Sequence, residues 1–515
     1  MAKNPSASRD SHLTRRGFLK TSAGAALGGT LATTGLPENA RAAAKNLIAE
    51  ENSKPGSRDW QLTRVRLDKQ AGFRAPDIEG YCSRQSIKAG EKLDIFVSTK
   101  KPARFEIEIF RTGYYGGCGA RLLTKLGPFT GEPQTVPPVM GEVRLRECRW
   151  HPCTSLEIPA DWLSGVYLGR LTTLPEKPGE PYWQSYVVFI VKDDRPAGIL
   201  VQCSDNTWQA YNRWPDNYSV YTDPRGNQGP WSHVSFDRPY AKYAQIYENP
   251  QSLGSGEWLC FEFPMAYWLE QQGYDVTYCS NSDLHTPDRG LKCKAFLSVG
   301  HDEYWDRRAY ESVQAMRDAG VNLLFFSGNA ICWVTPMRAG FDGRDNRIMF
   351  RGGPYGGDYK YAVDREQKNG PFPERGPDEG YLLGARNIDP VNGGGDWVCT
   401  APQHWIFEGT AMKAGDFIPG LIGWEYHGDP PAIEGLEVVA SGTAFQGGTR
   451  PQQWAATIYP GPKGNFVFNA STIFWSQGLS HPPGHMLPWS HWSRPHGPDE
   501  RVQKITANLL RRALA

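Results

Sequence analysis

The chain has 515 residues, and its 56 Lys and Arg against 55 Asp and Glu leave a formal charge of +1. With no basic block, nucleic acid and anionic membrane surfaces are excluded as partners. Eighteen Trp, 23 Tyr and 22 Phe beside 56 Gly and 40 Pro describe a strand-rich, loop-rich and rigid protein, too long for a single core.

Thr14-Arg-Arg-Gly-Phe-Leu-Lys20 reads as a twin-arginine export motif. A Gly/Ala-rich apolar stretch follows to Gly35, and Ala40-Arg41-Ala42 fits a small-x-small cleavage site. Residues 1–42 are therefore expected to be a signal peptide, with the mature protein periplasmic or secreted. No later segment reaches the ~18 apolar residues that a membrane span requires.

Residues 60–193 alternate apolar and polar and break at Gly/Pro-rich turns. Lys92–Val97, Arg104–Phe110, Gly165–Leu171 and Ser185–Val191 are expected strands. Short strands without a helical period predict an antiparallel sandwich of immunoglobulin type. Cys148 and Cys153 flank a short loop, and in an oxidising compartment that spacing suits a small disulfide. Cys203, Cys260, Cys279, Cys293 and Cys332 lie in or beside apolar runs and read as core thiols. Asp193-Asp-Arg-Pro196 is a polar joint.

The pattern then changes. Gly198–Cys203, Gly273–Tyr278, Lys294–Val299 and Val321–Phe326 read as strands, with helical periods over Trp258–Gln272 and Tyr310–Ala319. Strands alternating with helices predict a largely parallel sheet with right-handed crossovers across residues 196–515. Residues 331–403 are Gly/Asp-rich and weakly periodic, as an insertion over one face would be. Leu436–Ala440, Trp454–Tyr459 and Asn465–Asn469 are late strands, and Arg501–Leu514 is a closing amphipathic helix.

Open α/β sheets bind ligands beyond the carboxyl ends of their strands. Three such ends carry chemistry: Ser204 to Asn212 with Tyr218 and Tyr221 beyond, Gly300-His-Asp-Glu-Tyr304, and Ser327-Gly-Asn329. The turn after the third α/β strand holds neither Cys nor Ser, so a covalent nucleophile at that elbow is not expected. His301 and Glu303 form His-x-Glu, which suits metal ligation or proton transfer and equally suits a structural histidine. Asp302 is a candidate helix cap. Asn329 either orients a substrate amide or stabilises a tight turn.

Asn206-Thr-Trp-Gln-Ala-Tyr-Asn212, Ser235-Phe-Asp-Arg-Pro-Tyr240, Leu297 to Trp305 and Phe325-Phe-Ser-Gly-Asn329 together resemble the large (beta) subunit of N,N-dimethylformamidase and its relatives. Leu421 to Tyr426 and Val467 to Ala470 extend the likeness. The resemblance implies an immunoglobulin-like sandwich followed by a glutamine-amidotransferase-like (flavodoxin-like) α/β domain. It implies a mononuclear Fe(III) held by two tyrosines and Glu303; by motif the tyrosines are Tyr211 and Tyr240, with Tyr221 in reserve. His301, Asn329 and Glu425 match positions that surround the metal and assist hydrolysis. The implied activity is amidohydrolysis of a small linear amide. The family's amidase works with a small second subunit, so a light partner chain is open here, as is self-association. Two other readings stand beside this one. One is a zinc or other divalent-metal hydrolase using His301, Glu303 and His285. The other is a non-enzymatic exported protein that binds carbohydrate or another ligand on Trp208, Trp214, Trp231 and Trp305.

Overall fold

The computed structural model describes residues 46–515 except 67–71, 142, 222–232, 243–244, 246–249, 352–369, 373–375 and 389–392. The expected signal peptide, Trp231 and part of the expected insertion lie outside the described residues. The chain from Asn46 to Ala515 forms one compact unit.

Its N-terminal part is two facing sheets. One has three strands, Ile78–Cys82, Lys92–Thr99 and Thr154–Glu157; the other has five, in the order Ser86–Lys88, Gln184–Lys192, Gly165–Thr173, Ala103–Thr112 and Ala120–Gly131. Every expected strand is present, and Ile78–Cys82, Ser86–Lys88, Ala120–Gly131 and Thr154–Glu157 are additional. Alternation aims Phe105, Ile107 and Ile109 inward, where they meet Ile95, Val97, Val187 and Phe189. Cys148 and Cys153 are both free thiols, so the expected loop disulfide is not formed, and the other eight cysteines are free as well. The opposite face of the five-stranded sheet is also apolar. Phe110, Leu168 and Ile190 join a core with Trp258, Phe263 and Ile199. The joint at 193–196 thus links two parts that share packed interior, rather than bodies on a tether.

The second part is built on a nine-stranded sheet, numbered here β1 Ala197–Cys203, β2 Val276–Ser280, β3 Cys293–His301, β4 Asn322–Gly328, β5 Gly393–Val398, β6 Phe417–Ile422, β7 Glu437–Gln446, β8 Arg450–Pro460 and β9 Phe466–Asn469. Their spatial order is β2-β1-β3-β4-β9-β8-β7-β5-β6. The first five are parallel and the remaining four antiparallel. The sheet is therefore mixed, because β7 and β8 form a hairpin and β8 runs back to β9. Within the parallel half, strands taken in chain order stand 2-1-3-4-5, a doubly wound arrangement with its switch point between the first and third.

The helix Arg307–Ala319 returns from β3 to β4. It starts at Asp306, whose carboxylate accepts from the Arg308 amide, and ends at Gly320 with φ 106. Ala309, Tyr310, Val313 and Met316 supply its buried stripe. Asp302 is not the cap: its carboxylate accepts from Ser298, Gln202 and Asn281 inside the sheet edge. Among the described residues no helix is long and apolar enough to cross a membrane.

Candidate metal and amide site

β3 continues one residue past Gly300, which takes φ 72 in a place where a Cβ would stand 2.6 Å from the Phe261 Cβ. That bend turns the chain, so that His301 ends the strand and Glu303 projects beyond it. The first family-like segment fixes the turn. Asn206 donates to the Tyr304 carbonyl at 3.0 Å, and the Thr207 hydroxyl accepts from the Glu303 amide at 3.0 Å. The same short helix, Asp205–Tyr211, ends on Tyr211, whose hydroxyl donates to Glu303 Oε2 at 2.7 Å.

The Tyr221 hydroxyl donates to Glu303 Oε1 at 2.9 Å, lies 3.1 Å from the Tyr211 hydroxyl and also bonds the Tyr304 hydroxyl. Tyr211 and Tyr221 stack with ring centroids 4.8 Å apart. Two phenols and one carboxylate thus converge. Tyr240 is not among them. It lies edge-on to Trp208, at 6.5 Å, and lines a small cavity with Asp205, Arg238 and Arg347. The Ser235–Tyr240 segment acts instead as a brace. Buried Arg238 donates to the carbonyls of Gln209, Trp214, Tyr218 and Ser235, and so folds the loop that delivers Tyr221. Asp237 pairs with Arg344 and Arg347.

His301 stands beside the trio. Its Nδ1 lies 2.9 Å from Gln245 Oε1, an acceptor, so that nitrogen carries the proton and Nε2 keeps a lone pair in the neutral ring. Nε2 is 3.2 Å from Glu303 Oε2 and 3.8 Å from Glu425 Oε1, in hydrogen-bond alignment with neither. Glu425 arrives from the loop after β6, which crosses the end of β4. Gly328 permits that crossing, since a Cβ there would lie 2.1 Å from the Glu425 carbonyl oxygen. Glu425 Oε2 is buried with no hydrogen-bond partner among the described residues. Asn329, next in chain, adopts φ 51. The Ala330 amide donates to His427 Nε2, and His427 Nδ1 bonds Asn469, which pins the two loops together. His427 has no counterpart among the sequence expectations, and only its place beside Glu425 hinted at it.

Charge follows from this packing. Burial would raise Glu303, yet His301 when its ring is protonated, the Tyr211 hydroxyl and the Arg351 charge hold it below the ordinary carboxylate range. Burial and the Glu303 charge push Glu425 well up. Enclosure of the hydroxyls, and next the Glu303 charge, lift Tyr211, Tyr221 and Tyr304 well above the usual phenol value. Without a cation the packing favours the charged form of Glu303 and the protonated forms of Glu425 and the three phenols.

His285 faces Asp306 at 3.6 Å rather than joining His301. Among the described residues no three His, Cys, Asp or Glu side chains are placed to hold a metal ion, so the divalent arrangement with His285 is not assembled. Trp208, Trp214 and Trp305 keep at most 2 % of their surface exposed and present no stacking face to solvent.

A family model described as N,N-dimethylformamidase beta subunit-like, C-terminal, matches residues 106–487, well over half of the chain. The chain belongs to that family. Every site residue above falls within the match. No curated protein is similar enough to count as a relative. Among solved structures, a family 123 glycoside hydrolase from Clostridium perfringens is matched at 6% identity and a TM-score of 0.11, over 52% of this chain and 49% of that one.

Proposed function

We propose that the protein is an iron-dependent amidohydrolase that cleaves the C–N bond of a small linear amide, with Tyr211, Tyr221 and Glu303 as the metal ligands. The observation that carries the reading is the mutual spacing of those three donors, 2.7, 2.9 and 3.1 Å. Donors at ~2.0–2.1 Å from a small octahedral cation stand about 3 Å apart, so the trio needs little rearrangement to share one. Phenolates and a carboxylate are hard anionic oxygens, which suit Fe(III) better than softer ions. The unpartnered His301 Nε2 and Glu425 Oε2 point to something polar between them. The residues therefore fit the group, and family membership supports the activity. In the same reading the two facing sheets are immunoglobulin-like, and the parallel half-sheet is of glutamine-amidotransferase type. Residues 1–42 direct export.

When bound, Fe(III) supplies a Lewis acid for the amide carbonyl and for water. Tyr211 and Tyr221 give up their phenolic protons on loading, which makes affinity fall at low pH. His301, its tautomer set by Gln245, accepts a proton at Nε2 from the attacking water. Glu425, whose protonated form burial and the Glu303 charge favour, delivers a proton to the departing nitrogen. Asn329 donates to the carbonyl oxygen and fixes the amide in register.

The test is amine release from a panel of formamides and acetamides by iron-loaded protein. Turnover that disappears in Glu303→Gln and falls at least a hundredfold in His301→Ala supports the proposal. Absence of turnover across the panel, or turnover that survives Glu303→Gln, overturns it.

A further inference from the structure

Arg351 ends the strand Ile348–Phe350 and retains 8% of its surface exposed. Its guanidinium carbon lies 3.5 Å from the Trp333 ring centroid and 4.8 Å from that of Tyr221, so the group packs against two aromatic rings. It makes no hydrogen bond or ion pair with any described residue, and its Nε is buried without a partner. The other buried arginines differ. Arg111 meets Glu270, Arg347 meets Asp237, and Arg238 meets a set of carbonyls. A buried cation with no acceptor among the described residues is costly and calls for a ligand.

We infer that Arg351 is a substrate-anchoring residue and that the amide it helps to hold carries a carboxylate. The inference rests on the proposed reading of Tyr211, Tyr221 and Glu303 as the ligands of the reacting centre. Three ionised donors neutralise a trivalent ion, so the Arg351 charge has no counter-charge among the described residues and favours one added anion. With two rings packed against it, the group meets an anion through its N–H edge. That planar fork matches a carboxylate in two parallel hydrogen bonds. A neutral amide such as a dialkylformamide would leave it unpaired.

Calorimetric titration of iron-loaded protein with N-formylglycine and with its neutral counterpart N-formylglycinamide tests this without relying on turnover. The wild type is expected to bind the carboxylate about tenfold to a hundredfold more tightly, the range for a hydrogen bond to a charged group. Arg351→Gln is expected to abolish the preference while keeping its iron, and Arg351→Lys to keep part of it. Equal affinities in the wild type, or a preference that survives in Arg351→Gln, overturn the inference. If Arg351→Gln does not fold, the wild-type comparison decides alone. If Arg351→Gln loses its iron, Arg351 serves as a counter-charge for the phenolates and the inference fails. A preserved preference with no hydrolysis of either compound would refute the amidase reading and leave the anion site standing.

Discussion

The two parts of the molecule are joined by a buried ion pair whose removal has a calculable consequence. Arg111, on the strand Ala103–Thr112, donates to both oxygens of Glu270, on the helix Phe263–Gln271, at 2.8 and 3.0 Å. The side chains are 1% and 0% exposed. Arg111 also donates to the Ser164 carbonyl at 2.9 Å, while Glu270 accepts from Tyr278 at 3.0 Å and Asn52 at 2.7 Å. Changing Arg111 to Met leaves a carboxylate sealed from water with only two neutral donors. Breaking a buried pair in that way costs about 3–5 kcal/mol, a large share of the ~5–15 kcal/mol that holds a typical protein folded. Changing both residues, Arg111→Met with Glu270→Leu, removes the stranded charge and should recover at least half of the loss. Urea unfolding followed by tryptophan fluorescence measures all three variants against the wild type. A single variant that loses less than ~1 kcal/mol, or a double variant as unstable as Arg111→Met, would refute the reasoning, since each figure derives from the stranded-charge argument.

Two further outcomes are expected. Burial lifts Asp205 from 3.8 and Glu257 from 4.5 to about 8 each. Unfolding therefore releases protons between those limits, and the stability these groups contribute is full below about pH 4 and lost as pH rises toward about 8. Buried His233, His427 and His485, lowered to about 3, 4 and 3, titrate in the opposite sense below their free value of 6.5. From pH 6.5 to 8 the carboxyls therefore dominate. Unfolding free energies from urea titrations should fall across that window by up to ~1.4 kcal/mol per pH unit for each group, and less steeply in Asp205→Asn and Glu257→Gln; an unchanged slope in both variants contradicts the assignment. Gly328→Ala would place a Cβ 2.1 Å from the Glu425 carbonyl oxygen and 2.7 Å from the Ile473 nitrogen. Both obstacles are backbone, so the Glu425 loop must shift, at a cost of about 1–3 kcal/mol and at least a tenfold loss of turnover; wild-type stability and turnover together would show that the crossing is looser than described.

The sequence was most legible where local pattern and burial agree. β1 to β4 are continuous apolar runs that end where they must, and Tyr211, His301, Glu303 and Asn329 are carried to one edge by those ends, where the loop after β6 brings Glu425. Tyr221 was harder to read than Tyr240 because the choice depends on the path of residues 212–221. That path is set by Arg238 and its carbonyl partners, far from any periodicity. β5 was hidden inside the weakly periodic 331–403 stretch. Its first residues, Gly393, Gly394 and Gly395, have little intrinsic strand preference. They are glycines because a Cβ would meet Phe445 O at 2.3 Å, Ser493 Cβ at 2.5 Å or Thr443 O at 2.8 Å. Arg351 gave no signal at all, since a buried guanidinium lodged between two rings has no signature in a linear pattern. The tryptophans misled for the opposite reason: an aromatic surplus looks the same in sequence whether it lines a groove or fills a core.

The central claim is that Tyr211, Tyr221 and Glu303 hold one iron(III). Iron content and visible absorption of protein isolated from its native compartment, with Tyr211→Phe, Tyr221→Phe, Glu303→Gln and Tyr240→Phe alongside, test it most directly. About one iron per chain and a coloured tyrosinate complex are expected. Colour should be altered or lost in the first three variants and kept in Tyr240→Phe. A colourless protein with another metal at full occupancy, or colour that depends on Tyr240 and not on Tyr221, would contradict it.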